Sequence, residues 1–267
     1  MKKITVLVSS FDGFADCWDP FYHGLRKYWP DCPYEVAFIT NFKEINLGSA
    51  QAIKVGTDRG WSDNMLTALE QIESSFILYA QEDYWINQRV DTKTISDYVE
   101  LLIKDKADYI RLYPAPPPDL DYLEDERLGI LADDAPYRTS LQMALWRKSV
   151  LKNLIKSGEN PWQFEVDGTL RSRSCSSRFM CVKTIDNQRH HGINYVCTAI
   201  NKGKWSRAAK RYAQAEGLDI DFSNRPNETW WDDFGRDTLF GARVVTAITK
   251  PDYAVKRVIS EFFVKQK

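Results

Sequence analysis

Strand and helix patterns alternate through the first half of this chain, and that alternation constrains the fold more than any other feature. Strands are expected at Ile4–Ser9, Glu35–Thr40, Ala52–Val55, Phe76–Ala80 and Tyr109–Tyr113. Helical patterns fall between them, clearest at Pro20–Trp29, Asp63–Ser74 and Thr92–Lys104. Apolar runs that alternate with amphipathic helices predict an α/β fold of Rossmann type, a mainly parallel sheet flanked by helices. The helix from Asp63 has local support. Ser62 stands where an N-cap is needed, Trp61 and Leu66 occupy the positions of a hydrophobic staple, and Met65, Leu69 and Ile72 supply the buried stripe.

Proline then breaks the pattern. Pro114–Pro118 and the acidic stretch to Asp134 read as a surface loop or lid, because proline cannot pair inside a central strand. A second region follows, with a strand at Ser140–Trp146, a helix at Lys148–Ser157, the segment Glu159–Gly168, and a strand at Phe179–Ile185. Beyond Asn187 the sequence is loop-like and aromatic. It closes on a basic amphipathic helix, Asp252–Lys267, with Val255, Val258, Ile259, Phe262 and Phe263 on one face. That helix could dock on the body of the protein, on a partner, or on an anionic membrane surface as a peripheral contact.

The 267 residues carry a net charge near −1, which argues against binding nucleic acid through the whole surface. Nine Trp and thirteen Tyr exceed what a core needs, and surplus aromatic side chains often line clefts for sugars or bases. Cys17, Cys32, Cys175, Cys181 and Cys197 show no CxxC spacing. Met1-Lys2-Lys3 runs directly into the strand ITVLVSS with no signal-peptide pattern, so a cytoplasmic protein with reduced thiols is expected. No apolar stretch approaches the roughly 20 residues that span a bilayer.

Five segments carry chemistry. In FILYAQEDYW, Glu82 and Asp83 follow a buried strand almost at once, where charge is costly to desolvate unless a base, a helix N-terminus or a divalent cation accompanies it. The plainer reading has Glu82 capping a helix and Asp83 pairing with an arginine. In SSFDGF, the hydroxyls of Ser9 and Ser10 and the carboxylate of Asp12 could take a base, ribose or phosphate, or form an ordinary strand-to-helix turn. The segment lacks the glycine patterns of dinucleotide and P-loop sites. In TDRGWSDN, Asp58, Arg59, Asp63 and Asn64 should share the same sheet edge. Arg59 could meet a phosphate and Asp63 or Asn64 a base or ribose; alternatively, they favour the helix dipole. In ENPWQFEVDG, Trp162 and Phe164 anchor the chain while Glu165 and Asp167 project at alternate positions, an aromatic floor beside a carboxylate that suits sugar chemistry. A packed turn with solvated carboxylates is the alternative. His190 and His191 are two of three histidines and sit in a polar loop where one could meet a metal or phosphate.

Taken together, VLVSS, WSDNMLTALEQI, FILYAQED and ENPWQFE resemble a GT-A type glycosyltransferase of the kind found in bacterial surface-polysaccharide synthesis, over roughly residues 3–200. The resemblance implies a GT-A-like catalytic domain at 1–200, with a nucleotide-binding part at 1–113 and an acceptor part at 139–200, and a C-terminal aromatic and helical extension at 201–267. It implies a nucleotide-sugar donor, a divalent cation (Mn or Mg) on its diphosphate, and transfer to a hydroxyl of a saccharide acceptor, including a lipid-linked one. Asp83 would be the metal-side carboxylate, and Glu82 would help hold ribose or metal. Ser9, Asp12, Asp58 and Asp63 would surround the nucleotide, Glu165 would be the general base with Asp167 as second choice, and His191 a third metal or phosphate contact. One departure stands out. Glu-Asp-Tyr is not Asp-x-Asp, and adjacent carboxylates on an extended chain point to opposite sides, which leaves one metal ligand or a metal-independent enzyme. In-line attack assisted by a base would invert the anomeric centre. The alternatives are a catalytically silent nucleotide-sugar-binding or scaffold protein, and a sugar nucleotidylyltransferase, whose glycine-rich basic loop SSFDGF does not provide.

Overall fold

The computed structural model describes residues 4–186, 189–229 and 232. The chain divides into two units, Met1–Cys197 and Thr198–Lys267.

In the first unit the expected strands form. They are β1 (Ile4–Ser9), β2 (Glu35–Thr40), β3 (Gln51–Lys54) and β4 (Phe76–Gln81), with β5 (Trp85–Ile86) close behind. Next come β6 (Tyr109–Arg111), β7 (Leu120–Asp121), β8 (Leu128–Ile130), β9 (Ala144–Arg147), β10 (Phe179–Val182) and β11 (Tyr195–Val196). Among the described residues, nine of these make one sheet in the order β3-β2-β1-β4-β9-β6-β10-β8-β7. β1 pairs in parallel with β2 and with β4, and all six of its residues are buried, as a strand covered on both faces requires. β9 runs antiparallel between β4 and β6 because the chain returns to it from the acidic excursion. The sheet is thus mixed but mainly parallel, of Rossmann type.

Helices α1 (Trp18–Tyr28), α2 (Trp61–Gln71), α3 (Thr92–Ile103) and α4 (Lys148–Leu154) flank the sheet. One face buries Leu7, Tyr79, Tyr109 and Trp146 against Met65 and Leu69 of α2 and Leu151 of α4. Three local expectations need correction. Helix α2 starts at Trp61 behind Gly60, not behind Ser62. Gly60 takes φ +90°, a conformation open to glycine, so the chain reverses one residue pair earlier and Ser62 is buried inside the first turn. Trp61 therefore lies inside the helix and no staple with Leu66 precedes it. The acidic excursion is also more than a loop, since β7 and β8 pair antiparallel and β8 adds to β10. Gly129 makes this possible. A Cβ there would lie 2.6 Å from the ring of Pro118 and 2.7 Å from the carbonyl of Leu120.

In the second unit, β12 (Ile200–Asn201) and β13 (Lys204–Trp205) form a hairpin where loop was expected. Helix α7 (Arg207–Glu216) follows, capped by Ser206, whose hydroxyl accepts from the Ala209 N–H at 3.0 Å. Trp205 is buried and meets Phe222 edge-on at 5.1 Å. Helix α7 buries Ala209, Tyr212 and Ala213 at helical spacing, and its short, mostly alanine stripe is a weak signal in sequence. The amphipathic stretch 252–267 lies outside the described residues. No helix among the described residues is long and apolar enough to cross a membrane.

Candidate active site

The chain leaves β1 toward β2 on one side and returns to β4 on the other, so the carboxyl ends of β1 and β4 flank a topological switch point, where α/β sheets bind ligands. Ser9 stands opposite Gln81 in register, and the Glu82 N–H donates to the Ser9 carbonyl at 3.4 Å. The Tyr84 N–H donates to the Gln81 carbonyl at 3.1 Å, which makes Glu82 and Asp83 the central pair of a tight turn. The alternation expected of an extended chain therefore does not apply to them. Both are buried, with 8% and 5% of their surface exposed.

Around Ser9 the expected nucleotide contacts are engaged with the protein itself. Ser10 Oγ accepts from Trp18 Nε1 at 2.7 Å. The Asp12 carboxylate accepts from the backbone N–H groups of Asn41 (2.9 Å), Phe42 (3.0 Å) and Lys43 (3.2 Å), so it clamps the end of β1 to the end of β2. Asn41 completes the clamp, accepting from the Asp12 N–H at 3.2 Å and donating to the Gly56 carbonyl at 2.8 Å. Asn41 had no motif to mark it. Its place after a buried strand was the available signal.

At the start of α2, Asp58 Oδ1 accepts from the Gly60 N–H at 2.9 Å and from Asn64 Nδ2 at 2.7 Å, while Asn64 Oδ1 accepts from the Arg59 N–H at 3.3 Å. Arg59 folds back to Thr67 at 2.8 Å. Asp63 reaches the other half of the unit, accepting from Ser157 Oγ at 2.7 Å and the Gly158 N–H at 3.1 Å. The Ser157 hydroxyl, then the Gly158 N–H, hold its carboxyl below the ordinary range.

The segment after Glu159 is helical, not extended. Asn160 and Gln163 form a reciprocal capping box around α5 (Pro161–Gln163), a π-helical turn occupies Phe164–Gly168, and α6 (Thr169–Ser172) continues it. Such turns recur at functional sites. Phe164 is fully buried against Trp61, with ring centroids 5.1 Å apart. Trp162, expected as a second anchor, is 70% exposed. Glu165 Oε1 accepts from the Leu141 N–H at 2.7 Å and from Ser140 Oγ at 3.2 Å, whereas Asp167 is exposed.

Leu141 lies between the two acidic sites. Its N–H holds Glu165, and its carbonyl accepts from the Tyr84 hydroxyl at 3.2 Å, one residue beyond Asp83. Ser140, Leu141 and the fully buried Arg111 are functional candidates that no sequence motif marks. The strand expected from Ser140 begins only at Ala144, because 140–142 leave the ladder to make these contacts.

His191 lies toward α3 and β8. Its carbonyl accepts from the Tyr98 hydroxyl at 2.9 Å. Burial, and then His191, push the His190 imidazole down to about 4. Among the described residues, no three or more His, Cys, Asp or Glu side chains gather to hold a metal ion.

The scaffold is therefore a Rossmann-type α/β protein with an acidic turn at the carboxyl edge of its strands. No protein-family profile and no curated protein matches the chain. Solved structures similar to it include Staphylococcus aureus TarS residues 1–349 in complex with UDP, 13% identical over 84% of this chain and 68% of that one, with a TM-score of 0.48. A UDP-glucose pyrophosphorylase complexed with UDP-glucose is 12% identical over 81% of this chain and 98% of that one, with a TM-score of 0.47. The longer S. aureus TarS chain is covered over only 41% of its length.

Proposed function

We propose that the protein is a glycosyltransferase that moves a sugar from a nucleotide-sugar donor to a hydroxyl of a saccharide acceptor, including a lipid-linked one, on the cytoplasmic side of bacterial surface-polysaccharide synthesis. The observation that carries this reading is Leu141. Through it, a buried acidic turn at the switch point and a backbone-held carboxylate share one edge of the sheet.

Breaking the donor's glycosidic bond builds positive character on the sugar and negative charge on the leaving diphosphate. Glu165 is the general base. Two donors fix Oε1, which leaves Oε2 for the acceptor proton. In-line attack by the acceptor hydroxyl, on the face opposite the leaving diphosphate, would invert the anomeric centre. Ser9 and Glu82 face the donor, with Asp12, Asp58 and Asn64 shaping the loops around it. A divalent cation would draw one or two oxygen ligands from Asp83 and Glu82 and the rest from donor phosphates, as Mg²⁺ commonly does. When bound, it would neutralise diphosphate charge.

Calorimetry with UDP, GDP and CDP, with and without Mn²⁺, is the test. One nucleotide should bind, and Glu165→Gln should keep that affinity while losing sugar transfer. Absence of binding to all three would sink the proposal, and release of pyrophosphate in place of nucleoside diphosphate would turn it into a nucleotidylyltransferase.

A further inference from the structure

Arg111 ends β6 and is fully buried, so each face of its guanidinium needs a partner within the protein. Nε donates to the Tyr109 hydroxyl at 3.2 Å, one terminal nitrogen to the Pro116 carbonyl at 2.7 Å, and the other to the Tyr137 carbonyl. Pro116 and Tyr137 lie near the two ends of the acidic excursion. One side chain therefore clasps both. Burial pushes the Tyr109 phenol up to about 12, so at neutral pH Tyr109 serves as a neutral hydrogen-bonding link.

The clasp leads to Glu165. The Tyr137 carbonyl also accepts from the Ser140 N–H at 3.0 Å, and the Tyr109 hydroxyl donates to the Ser140 carbonyl at 3.0 Å. Ser140 is thus held on both sides by groups that Arg111 itself grips. Its hydroxyl, and the N–H of the next residue, are the two donors to Glu165 Oε1. Tyr137 has φ +52°, which a non-glycine residue rarely adopts without support, and the guanidinium is that support.

We infer that Arg111 is a positioning residue for Glu165, clasping residues 137–141 so that Ser140 and Leu141 present the carboxylate in one orientation. Its importance for turnover rests on the reading of Glu165 as the base; the clasp itself does not. Arginine suits the task because its planar fork reaches two carbonyls and a hydroxyl at once, which a lysine ammonium on a single stem does not.

Amide hydrogen exchange on the full chain tests the clasp without any substrate. In Arg111→Met the Ser140 and Leu141 amides should exchange about tenfold faster or more, while Val8 in β1 and Leu78 in β4 stay within about twofold of wild type. Arg111→Lys should fall between. Tyr109→Phe, which removes one hold on Ser140 and keeps the guanidinium, should loosen the same two amides and serves if Arg111→Met does not fold. Unchanged exchange at Leu141 in Tyr109→Phe and Arg111→Lys would overturn the inference, as would an equal rise across β1 and β4. In the transfer assay Arg111→Met should lower kcat and leave the donor KM unchanged. If the amides loosen but Glu165→Gln still turns over, the base assignment fails and the clasp stands.

Discussion

Replacing Asp12 by alanine separates a structural carboxylate from a ligand-binding one. Its two oxygens serve the N–H groups of Asn41, Phe42 and Lys43 at 2.9, 3.0 and 3.2 Å. These contacts are not equal in energy. Asn41 is buried, so losing a charged acceptor for its N–H costs about 1.5–3 kcal/mol. Phe42 is 67% exposed and Lys43 is exposed too, so water replaces the carboxylate there and each contributes no more than about 0.5 kcal/mol. The total is about 1.5–4 kcal/mol, which for a chain of this size lowers the melting temperature by roughly 3–16 °C. Asp12→Asn keeps an acceptor oxygen without its charge and should lose about half as much. Thermal and urea denaturation followed by circular dichroism measure this directly. If Asp12→Ala melts like the wild type while nucleotide affinity collapses, the clamp is not what the carboxylate is for.

Two further outcomes are expected. His190 has its folded pKa pushed down to about 4, below its ordinary value, so the unfolded chain takes up the proton first as pH falls. Stability should therefore decline from near pH 7 toward pH 4 and level off below, and His190→Gln should flatten that slope in urea midpoints taken at pH 7 and 5. An identical slope in the variant would assign it to other groups. Phe164→Ala empties a fully buried site against Trp61 and should cost about 3–5 kcal/mol in chemical denaturation. A loss below about 1 kcal/mol would mean that the π-helical turn is not held by its core side.

The long strands were legible because they are covered on both faces. ITVLVS and FILYA are apolar runs with no alternation, and both lie at the centre of the sheet. β7 and β8 were not legible. They are only two and three residues long, too short to show a period, and they pair because β10 offers an edge and Gly129 lets Pro118 close in. The acidic turn could be seen as charge after a buried strand, but its geometry could not, since the Tyr84-to-Gln81 hydrogen bond bends a stretch that extended pairing would have kept straight. Arg111 was hidden in plain view inside YIRLY. Nothing near it in sequence says that Pro116 and Tyr137 will supply its acceptors.

By itself the sequence determined the alternation of strands and helices, the parallel character of the sheet, and the presence of carboxylates where strands end. These follow from apolar periodicity and turn chemistry, which act over a few residues. Only the tertiary structure decided which polar groups the protein keeps for itself. Asp12 is taken up by Asn41, Phe42 and Lys43, and Asp63 by Ser157 and Gly158, while Glu165 is held at one oxygen by Ser140 and Leu141. The reason is that a buried hydrogen-bonding group must find a partner, and that partner is chosen by which distant segments the sheet brings alongside it.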